Sequence, residues 1–375
     1  MRVLVTGSRG FVGSNLIAHL RHSADIEILE HHRELGESVL TDSARSADVV
    51  IHLAGVSRPK TSSDFHVGNV GFTAQLLDAL RRTGRPIGVL YASSIHADTP
   101  SPYGASKREA ELLIEGYAAE CGASCFLYRL PSVFGKWARP NYNSAVATFC
   151  FNAVHGIPST IHDPQATLRL VYIDDVCHDF LHAAQRVSGG AGGGLSVDCA
   201  VQPEFKTTVG EVASIIDDFA RSRTSMLVGR VGGGLRRALF ATFQSYLDPG
   251  DFSYPLQRHL DPRGAFAEFL RTPDSGQFSY FTVHPGATRG GHYHHTKCEK
   301  FLVLSGKLQF RFRNIRTGEA FALHVSGDDP RVVETVPGWV HDVTNNESSD
   351  AIVMLWANEV FDPAHPDTFA AQLSP

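Results

Sequence analysis

The amino-acid sequence predicts a doubly wound α/β domain built on a parallel sheet, followed by a separate all-β domain. Its 375 residues, 43% apolar and 19% charged, are enough for more than one hydrophobic core. Up to about residue 185, short β-branched runs alternate with helical stretches, which is typical of βαβ units. Beyond Asp251, short alternating strands are separated by Gly, Pro, Asn and Asp turns, which favours a sandwich or small barrel.

The boundary between the two domains follows from a helix signal near residue 210. Thr208 and Glu211 have the spacing of a capping box, and an apolar helical periodicity begins at Val212. This helix therefore belongs to the first domain, in the lobe expected to bind a substrate. We expect domains at 1–245 and 246–375.

Composition excludes several classes of protein. The net charge is −5 and the sequence has no run of Lys or Arg, so it does not predict a basic surface for nucleic acid or an anionic membrane. The 6 cysteines have no CxxC spacing and are expected to be reduced thiols. MRVLVTG runs directly into a strand and a glycine turn, and no later segment reaches the roughly 18 apolar residues of a membrane helix. A cytoplasmic protein without nucleic-acid or membrane partners is expected.

A glycine turn after the first strand indicates a dinucleotide site. The strand RVLVT leads into Gly7, Gly10 and Gly13 and then a helix, so the backbone can approach a pyrophosphate at the helix N-terminus. HLAG at 52–55, Asn69, Ser93–Ser94 and a Tyr-x-x-x-Lys pair follow at intervals that fit successive strand ends. The candidate cofactor-binding residues are Gly7, Arg9, Gly10, Phe11, Val12, Gly13, Arg33, Leu53, Ala54, Gly55, Asn69, Tyr103 and Lys107.

These motifs resemble those of the extended short-chain dehydrogenase/reductase family over residues 1–245, which implies a Rossmann-like fold. The resemblance implies that Tyr103 is the general acid/base, that Lys107 lowers its pKa and holds the ribose, and that Ser94 polarises the substrate carbonyl. The chemistry is reasonable by itself, because a phenol with a pKa near 10 needs a nearby ammonium group to act at neutral pH. Ser94 and Tyr103 are only nine residues apart. This short spacing leaves Ser93 as an alternative to Ser94.

The choice between NAD and NADP depends on charges near the second strand. Glu30 could accept hydrogen bonds from a ribose 2′-hydroxyl, whereas Arg9 and Arg33 are well placed for a 2′-phosphate. The two arginines favour NADPH.

Two further segments resemble those that border the nucleotide-sugar pocket of this family: YRLPSVFG at 128–135 and VYIDDV at 171–176. They favour a UDP- or dTDP-sugar over a small alcohol. The substrate-binding candidates are Lys136, Arg139, Asn141 and Tyr142 in KWARPNYNS, with Arg169 for the diphosphate.

The all-β domain carries a metal-binding pattern. Between Gly286 and Gly306 the sequence places His292, His294 and Glu299 with the spacing of the first cupin motif, and His341 belongs to the second. The second motif departs from the family pattern, since its Pro and Gly are adjacent. Strand alternation puts His292 and His294 on one face, with Glu299 and His341 arriving from neighbouring strands. Three imidazoles and a carboxylate predict a cupin barrel that binds Zn²⁺ or another divalent transition metal.

Two neighbouring features complete this prediction. His295 would point to the opposite face and is left out of the ligand set. The segment 261–268 resembles the opening of the deoxysugar 3,5-epimerases, which act on 4-keto nucleotide sugars but usually lack the metal. Which residue would move the proton therefore stays open.

The whole chain resembles the bifunctional capsule-biosynthesis enzymes in which such a reductase is fused to a cupin. The resemblance implies epimerisation of carbon 3 in the cupin, then NADPH reduction at carbon 4. The product would be UDP-2-acetamido-2,6-dideoxy-L-talose, a precursor of N-acetyl-L-fucosamine in capsule or O-antigen. It also implies a homodimer. This order has a chemical reason, since the proton at carbon 3 is acidic only while carbon 4 is a ketone.

Two alternatives stay open. Four protein ligands would leave a tetrahedral zinc no open position, which favours a structural or sugar-sensing cupin. A non-catalytic sensor of the NADP redox state is the other, although the intact pair of Tyr103 and Lys107 argues against it.

Overall fold

The computed structural model describes residues 1–59, 61–189, 194–256, 259–261, 264–266, 270, 276–359 and 364–373. The chain forms two compact units. The N-terminal unit contains Met1–Ser144 and Leu168–Lys206, and the C-terminal unit contains Ala145–Thr167 and Thr207–Pro375. Residues 145–167 and 207–245, which we expected in the first domain, thus cluster with the later strands. One reason is the ion pair that Arg223 of the later helix segment forms with the buried Glu334. The boundary at 245 remains a prediction for the folding domains.

Nine α-helices are present in the described residues, with a π-helical stretch, His66–Gly71, between the third and the fourth and a short 3-10 helix, Pro249–Asp251, after the ninth. They are α1 (Phe11–Leu20), α2 (Glu37–Ser46), α3 (Ser63–Phe65), α4 (Phe72–Arg81), α5 (Pro102–Cys121), α6 (Ala145–Val154), α7 (Ile173–Ser188), α8 (Val209–Ser225) and α9 (Gly234–Gln244). Among the described residues, none of the helices has the length and apolar character needed to cross a bilayer.

The predicted capping box is confirmed at the start of α8. Thr208 is the N-cap, and its hydroxyl accepts a hydrogen bond from the Glu211 backbone N–H at 3.2 Å. The apolar positions from Val212 onward are buried, as the periodicity predicts.

The N-terminal unit is built on a parallel sheet of six strands in the order β2-β1-β3-β4-β5-β8. β6, β7 and β9 form a smaller sheet. The strands are β1 (Arg2–Thr6), β2 (Glu27–His31), β3 (Val49–His52), β4 (Gly88–Ser94), β5 (Cys125–Leu130), β6 (Ser132–Phe134), β7 (Thr167–Tyr172), β8 (Leu195–Cys199) and β9 (Glu204–Thr208). β3 is buried along its whole length, as expected for a parallel strand covered on both faces. The strand order reverses between β1 and β3, and such a switch point is where doubly wound sheets bind ligands.

The C-terminal unit contains two antiparallel sheets of five strands each, in the orders β10-β18-β15-β20-β13 and β17-β16-β19-β14-β21. The strands are β10 (Ser253–Pro255), β11 (His259–Asp261), β12 (Gly264–Phe266), β13 (Gln277–Val283), β14 (Thr288–Tyr293), β15 (Glu299–Ser305), β16 (Lys307–Asn314), β17 (Ala320–Ser326), β18 (Arg331–Glu334), β19 (Trp339–Asn345), β20 (Ala351–Ala357) and β21 (Phe369–Ala370). Phe301 and Val353 of one sheet share a core with Phe310 and Val343 of the other, so the sheets face each other. The predicted fold class, a doubly wound parallel sheet followed by an all-β region, is confirmed.

Candidate functional site

The predicted glycine turn lies at the switch point, between the ends of β1 and β3. Gly7 has a positive φ of 69°, and a Cβ atom there would lie 2.8 Å from the Ala54 backbone nitrogen. A Cβ on Gly13 would lie 2.2 Å from the Gly7 carbonyl oxygen, so only glycine lets α1 start this close to the turn. Phe11 and Val12 open α1. This backbone cradle at a helix N-terminus fits the pyrophosphate of a dinucleotide.

Tyr103, Lys107 and Ser94 lie together at the end of β4. The Tyr103 side chain on α5 is hydrogen-bonded to Ser94, the last residue of β4. The neighbouring Ser93 hydroxyl instead donates to Glu111 Oε1 at 2.5 Å. Successive side chains of a strand point to opposite faces. The geometry therefore separates the two serines and places Ser94, not Ser93, beside the phenol.

The protonation states of this group are set mainly by burial. Burial raises the pKa of Tyr103, and the hydrogen bond from Ser94 opposes that rise. Of these two effects on the Tyr103 pKa, burial is the larger. Burial also lowers the pKa of Lys107 to about 8, although the Glu111 carboxylate acts in the opposite direction. Lys107 Nζ donates to the Ala92 carbonyl at 2.8 Å.

Asn69 positions the loop after β3. Its Oδ1 accepts from the Val56 backbone N–H at 2.7 Å, and its Nδ2 donates to the Val56 carbonyl at 3.1 Å and to Ser106 Oγ at 2.8 Å. Ser106 Oγ in turn donates to the Tyr103 carbonyl at 2.8 Å. A Cβ on Gly55 would lie 3.5 Å from Lys107 Nζ. The loop with Leu53, Ala54 and Gly55 is therefore held beside the catalytic candidates.

Glu111 is a residue that the sequence interpretation missed. It is fully buried on α5, one turn beyond Lys107. Arg129 binds its carboxylate through two hydrogen bonds of 3.0 and 2.8 Å, and Arg108 adds a third at 2.8 Å. The helical spacing of Tyr103, Lys107 and Glu111, each four residues apart, was the available signal.

The residues that bear on the choice between NAD and NADP lie near the end of β2. Arg9 and Arg33 are exposed, and Arg9 forms an ion pair with Glu34, which the sequence interpretation did not consider. Glu30 pairs with Arg21 at 3.2 Å. A 2′-phosphate would have to compete with Glu34 for Arg9.

The predicted substrate-binding residues fall into two groups. Arg139, Asn141 and Tyr142 are exposed, and the Arg139 guanidinium lies 5.3 Å from the centroid of the Tyr142 ring. Lys136 is only 1% exposed, and its Nζ donates to Asp174 Oδ1 at 2.6 Å. Arg169 forms a bidentate pair with Glu204, at 2.5 and 2.8 Å. Of the five residues only Lys136 is buried, since Arg169 is also exposed; the charges of both Lys136 and Arg169 are paired.

The four predicted metal ligands converge in the C-terminal unit. Their ligand atoms all lie within 4.8 Å of one another. Glu299 Oε2 lies 3.2 Å from His294 Nε2 and 3.4 Å from His341 Nε2, and the rings of His292 and His341 are 4.7 Å apart. The ring of the excluded His295 contacts the rings of Tyr293 and Phe369.

One detail of the predicted ligand arrangement is wrong. His341 on β19 does pair directly with His292 on the neighbouring β14. Glu299, however, opens β15, which belongs to the facing sheet. The chain crosses from one sheet to the other between His294 and Glu299, so the cluster joins both sheets.

The protonation of the cluster fits a divalent cation. The carbonyl oxygen of Asp367 can only accept a hydrogen bond, so His294 Nδ1 carries a proton there. Nε2 of the same ring lies 3.2 Å from Glu299 Oε2, so it is the nitrogen that would reach a metal shared with Glu299. Burial, with the neighbouring imidazoles, lowers the pKa of His292 to about 4, and burial lowers that of His341 as well. Neutral imidazoles beside a carboxylate are the ligands that a divalent transition metal takes.

A cavity of about 230 Å³ opens onto this cluster. Its walls are mainly apolar, and its polar groups are His292, Glu299 and His341 together with Arg289 and Asp342. Asp342 is paired with Arg311 at 2.5 and 2.9 Å. In the 261–268 segment, residues 262, 263, 267 and 268 lie outside the described residues.

Comparisons with known proteins agree with this two-part organisation. The NAD dependent epimerase/dehydratase family matches residues 3–197, and the polysaccharide biosynthesis C-terminal domain matches residues 259–369. A curated relative from Pseudomonas aeruginosa, named UDP-2-acetamido-2,6-beta-L-arabino-hexul-4-ose reductase, is 49% identical over 373 residues, covering 100% of this chain and 99% of the relative.

Solved structures lead to the same grouping. The capsular polysaccharide assembling protein CapF from Staphylococcus aureus is 38% identical with a TM-score of 0.67, covering 99% of this chain and 100% of that one. UDP-glucuronic acid 4-epimerase from Bacillus cereus, solved with NAD, is 19% identical with a TM-score of 0.51 over 59% of this chain and 84% of its own, and supports the fold alone. The chain belongs to the NAD-dependent epimerase/dehydratase family, in the CapF-type group that continues into a polysaccharide-biosynthesis C-terminal domain.

Proposed function

We propose that this chain is a bifunctional UDP-sugar enzyme. It inverts carbon 3 of a UDP-4-keto-6-deoxy-N-acetylhexosamine in its C-terminal unit and reduces the 4-ketone with NADPH in its N-terminal unit. The product is UDP-2-acetamido-2,6-dideoxy-L-talose, for the N-acetyl-L-fucosamine of capsule or O-antigen. The observation that carries the proposal is the group of Ser94, Tyr103 and Lys107 at the end of β4, in a chain half identical to a named 4-ulose reductase.

The reduction assigns one role to each residue of this group. Tyr103 donates its phenolic proton to the oxygen at carbon 4, and Ser94 donates a hydrogen bond to that carbonyl. Lys107 holds a positive charge that stabilises the phenolate left on Tyr103 and binds the ribose. The bound nicotinamide supplies the hydride. The raised pKa of Tyr103 is consistent with a group that starts the reaction protonated.

The cofactor and substrate contacts follow from the exposed groups. The Gly7, Gly10 and Gly13 turn holds the pyrophosphate, and Arg9 and Arg33 bind the 2′-phosphate of NADPH. Arg139, Asn141 and Tyr142 contact the sugar or the diphosphate. Lys136 and Arg169 stay candidates for the same contacts. The pair of Arg169 with Glu204 is exposed and easily opened by a diphosphate, whereas the pair of Lys136 with Asp174 is buried.

The C-terminal unit would act while carbon 4 is still a ketone. Loss of the proton from carbon 3 gives an enolate, which returns to either configuration when it is reprotonated. His292, His294, Glu299 and His341 would hold a divalent cation, whose positive charge favours an enolate. The cavity in front of the cluster supports binding of one sugar ring. A cupin barrel, a cytoplasmic location and a homodimer belong to the same proposal.

A structural or sensing C-terminal unit is the second candidate. It is favoured by the ligand count, since three histidines and Glu299 complete a tetrahedral zinc without substrate. In that case the chain is a 4-keto reductase alone.

The test is a Tyr103→Phe variant incubated in heavy water with the 4-keto substrate, with and without NADPH. Reduction should fall by roughly 10²–10⁴-fold, the usual loss for a general acid, while deuterium still enters carbon 3. Mass spectrometry and NMR of the sugar measure both. No deuterium at carbon 3, with reduction intact in the wild type, would leave only the reductase.

Tyr280→Phe is the matched control for this variant. Tyr280 is 73% exposed on β13 and belongs to neither site, so both activities should stay unchanged. A similar loss in this control would remove the assignment of Tyr103.

A further inference from the structure

Asp367 contacts the turn that follows the first two histidines of the cluster. Its carboxylate accepts the backbone N–H groups of His295 at 2.8 Å, Thr296 at 2.6 Å and Lys297 at 2.6 Å. The Thr296 hydroxyl donates to the same carboxylate at 2.9 Å. Hydrogen bonds to an ionised acceptor are roughly twice as strong as neutral ones. One side chain therefore holds the turn through which the chain passes from His294 to Glu299.

The backbone of Asp367 acts on His294 itself. Its carbonyl oxygen accepts the hydrogen bond from His294 Nδ1, which leaves Nε2 as the nitrogen that faces Glu299. The same residue thus determines both the tautomer of His294 and the conformation of the turn after it. Outer partners of this kind keep a metal-binding imidazole in the ligating tautomer and orientation.

The residues after Asp367 continue along the strand that bears His292. β21 pairs with β14 through His292 with Ala370 and Tyr293 with Phe369. The Ala371 N–H donates to the Gly291 carbonyl at 2.9 Å. Lys297 Nζ donates to Thr368 Oγ1 at 3.2 Å and lies 3.5 Å from Glu299 Oε1. We call residues 367–371 the C-terminal strap, because they link the strand before the cluster to the turn after it.

We propose that Asp367 is a positioning residue for the metal cluster, which couples closure of the C-terminal strap to the affinity for a divalent metal. The proposal rests on the proposed metal site. It adds that His294 is a preformed Nε2 ligand only while the strap is in place. Metal binding should in turn stabilise the strap, because coupling between two equilibria is reciprocal.

The test compares metal binding by the full-length wild type and Asp367→Asn. Asparagine keeps the size of the side chain, but it removes the charge and one of the two acceptor oxygens. Both proteins are stripped with a chelator and titrated with Zn²⁺ and Co²⁺ against a chromophoric competitor. Loss of an outer partner usually costs about 10–100-fold in metal affinity, and we expect that range for Asp367→Asn.

Asp350→Asn is the matched control. Asp350 is half exposed and pairs with His284 at 2.9 Å, away from the cluster, so its removal should leave the affinity unchanged. Thr296→Val removes only one of the contacts of Asp367, and a smaller loss is expected. This variant also replaces Asp367→Asn if the latter does not fold.

A second measurement separates positioning from general destabilisation. Nitrogen-15 NMR of the metal-free proteins should show His294 with the proton on Nδ1 in the wild type. Asp367→Asn keeps the backbone carbonyl but weakens the hold of the strap on the turn, so the carbonyl should leave His294 part of the time and a mixture of tautomers should appear. Equal metal affinity in the variant, or an unchanged tautomer despite weaker binding, would overturn the inference while leaving the metal site intact. A wild type that binds neither metal would overturn the metal site itself, and the inference with it.

Discussion

Burial favours the neutral form of the titratable groups in both candidate sites, but the two sites use it differently. At the end of β4, burial raises the pKa of Tyr103 and lowers that of Lys107 to about 8, so the ammonium titrates close to neutral pH. In the metal cluster, burial lowers the pKa values of His292 and His341, which keeps both imidazoles neutral.

This difference corresponds to the two chemistries. A proton-transfer site needs groups whose protonation changes during the reaction, and a small change in their surroundings shifts their activity. A metal site needs ligands that stay deprotonated, so its geometry matters more than its titration. A substitution in one site should therefore change the activity of that site and leave the activity of the other site unchanged.

His341→Ala is expected to give the largest difference between the effects on the two activities. The loss of a ligand should weaken metal binding beyond the roughly hundredfold that an outer partner contributes, and carbon 3 exchange should disappear. Reduction of a substrate already inverted at carbon 3 should stay near the wild-type rate. Metal content and NADPH consumption measure the two effects. His324→Ala, an exposed histidine on β17, is the control. Loss of reduction in His341→Ala would show that the two sites are not independent.

An intermediate effect is expected from the two adjacent serines. Ser94→Ala should lower the reduction rate by roughly 10²–10³-fold, because it removes a donor to the developing negative charge. Ser93→Ala should instead lower the free energy of unfolding by about 1–3 kcal/mol, since it removes a buried hydrogen bond to Glu111. Rates and denaturant unfolding of both variants check this. A loss of rate in Ser93→Ala and a loss of stability in Ser94→Ala would instead place Ser93 in the site.

The smallest effect should be a shift in pH dependence in Glu111→Gln. Lys107 lies near Tyr91 and His52, and the Glu111 carboxylate is the negative charge that raises its pKa. Lys107 must be protonated to act, so activity falls as the pH rises through its pKa, near 8 in the wild type. Removing the Glu111 charge disfavours the ammonium, and the basic limb of the profile should move to lower pH.

Asp98→Asn controls for the loss of an arginine partner, because Asp98 binds Arg129 at 2.6 Å without contacting Lys107. Profiles of kcat/KM against pH measure the shift. A limb that moves equally in both variants would indicate a general change around Arg129.

The sites also differ in how far the sequence alone predicted them. Tyr103 and Lys107 share one helix, and His292 and His294 are two residues apart, so both pairs follow from local spacing. Asn69 was predicted from its motif, but its contacts with Val56 and Ser106 required the fold. Lys136 and Arg169 looked like free cations, because their partners Asp174 and Glu204 lie 38 and 35 residues away along the chain.

The sequence by itself determined the fold class, the glycine turn, the capping box and the identity of the paired motifs, because each depends on periodicity or spacing within a few residues. Only the tertiary structure decided which serine faces Tyr103, which sheet supplies Glu299 and which cations are already paired. It also revealed Asp367, 73 residues from His294. Contacts of that kind depend on how strands and sheets are arranged in space, and no local pattern in the chain records that arrangement.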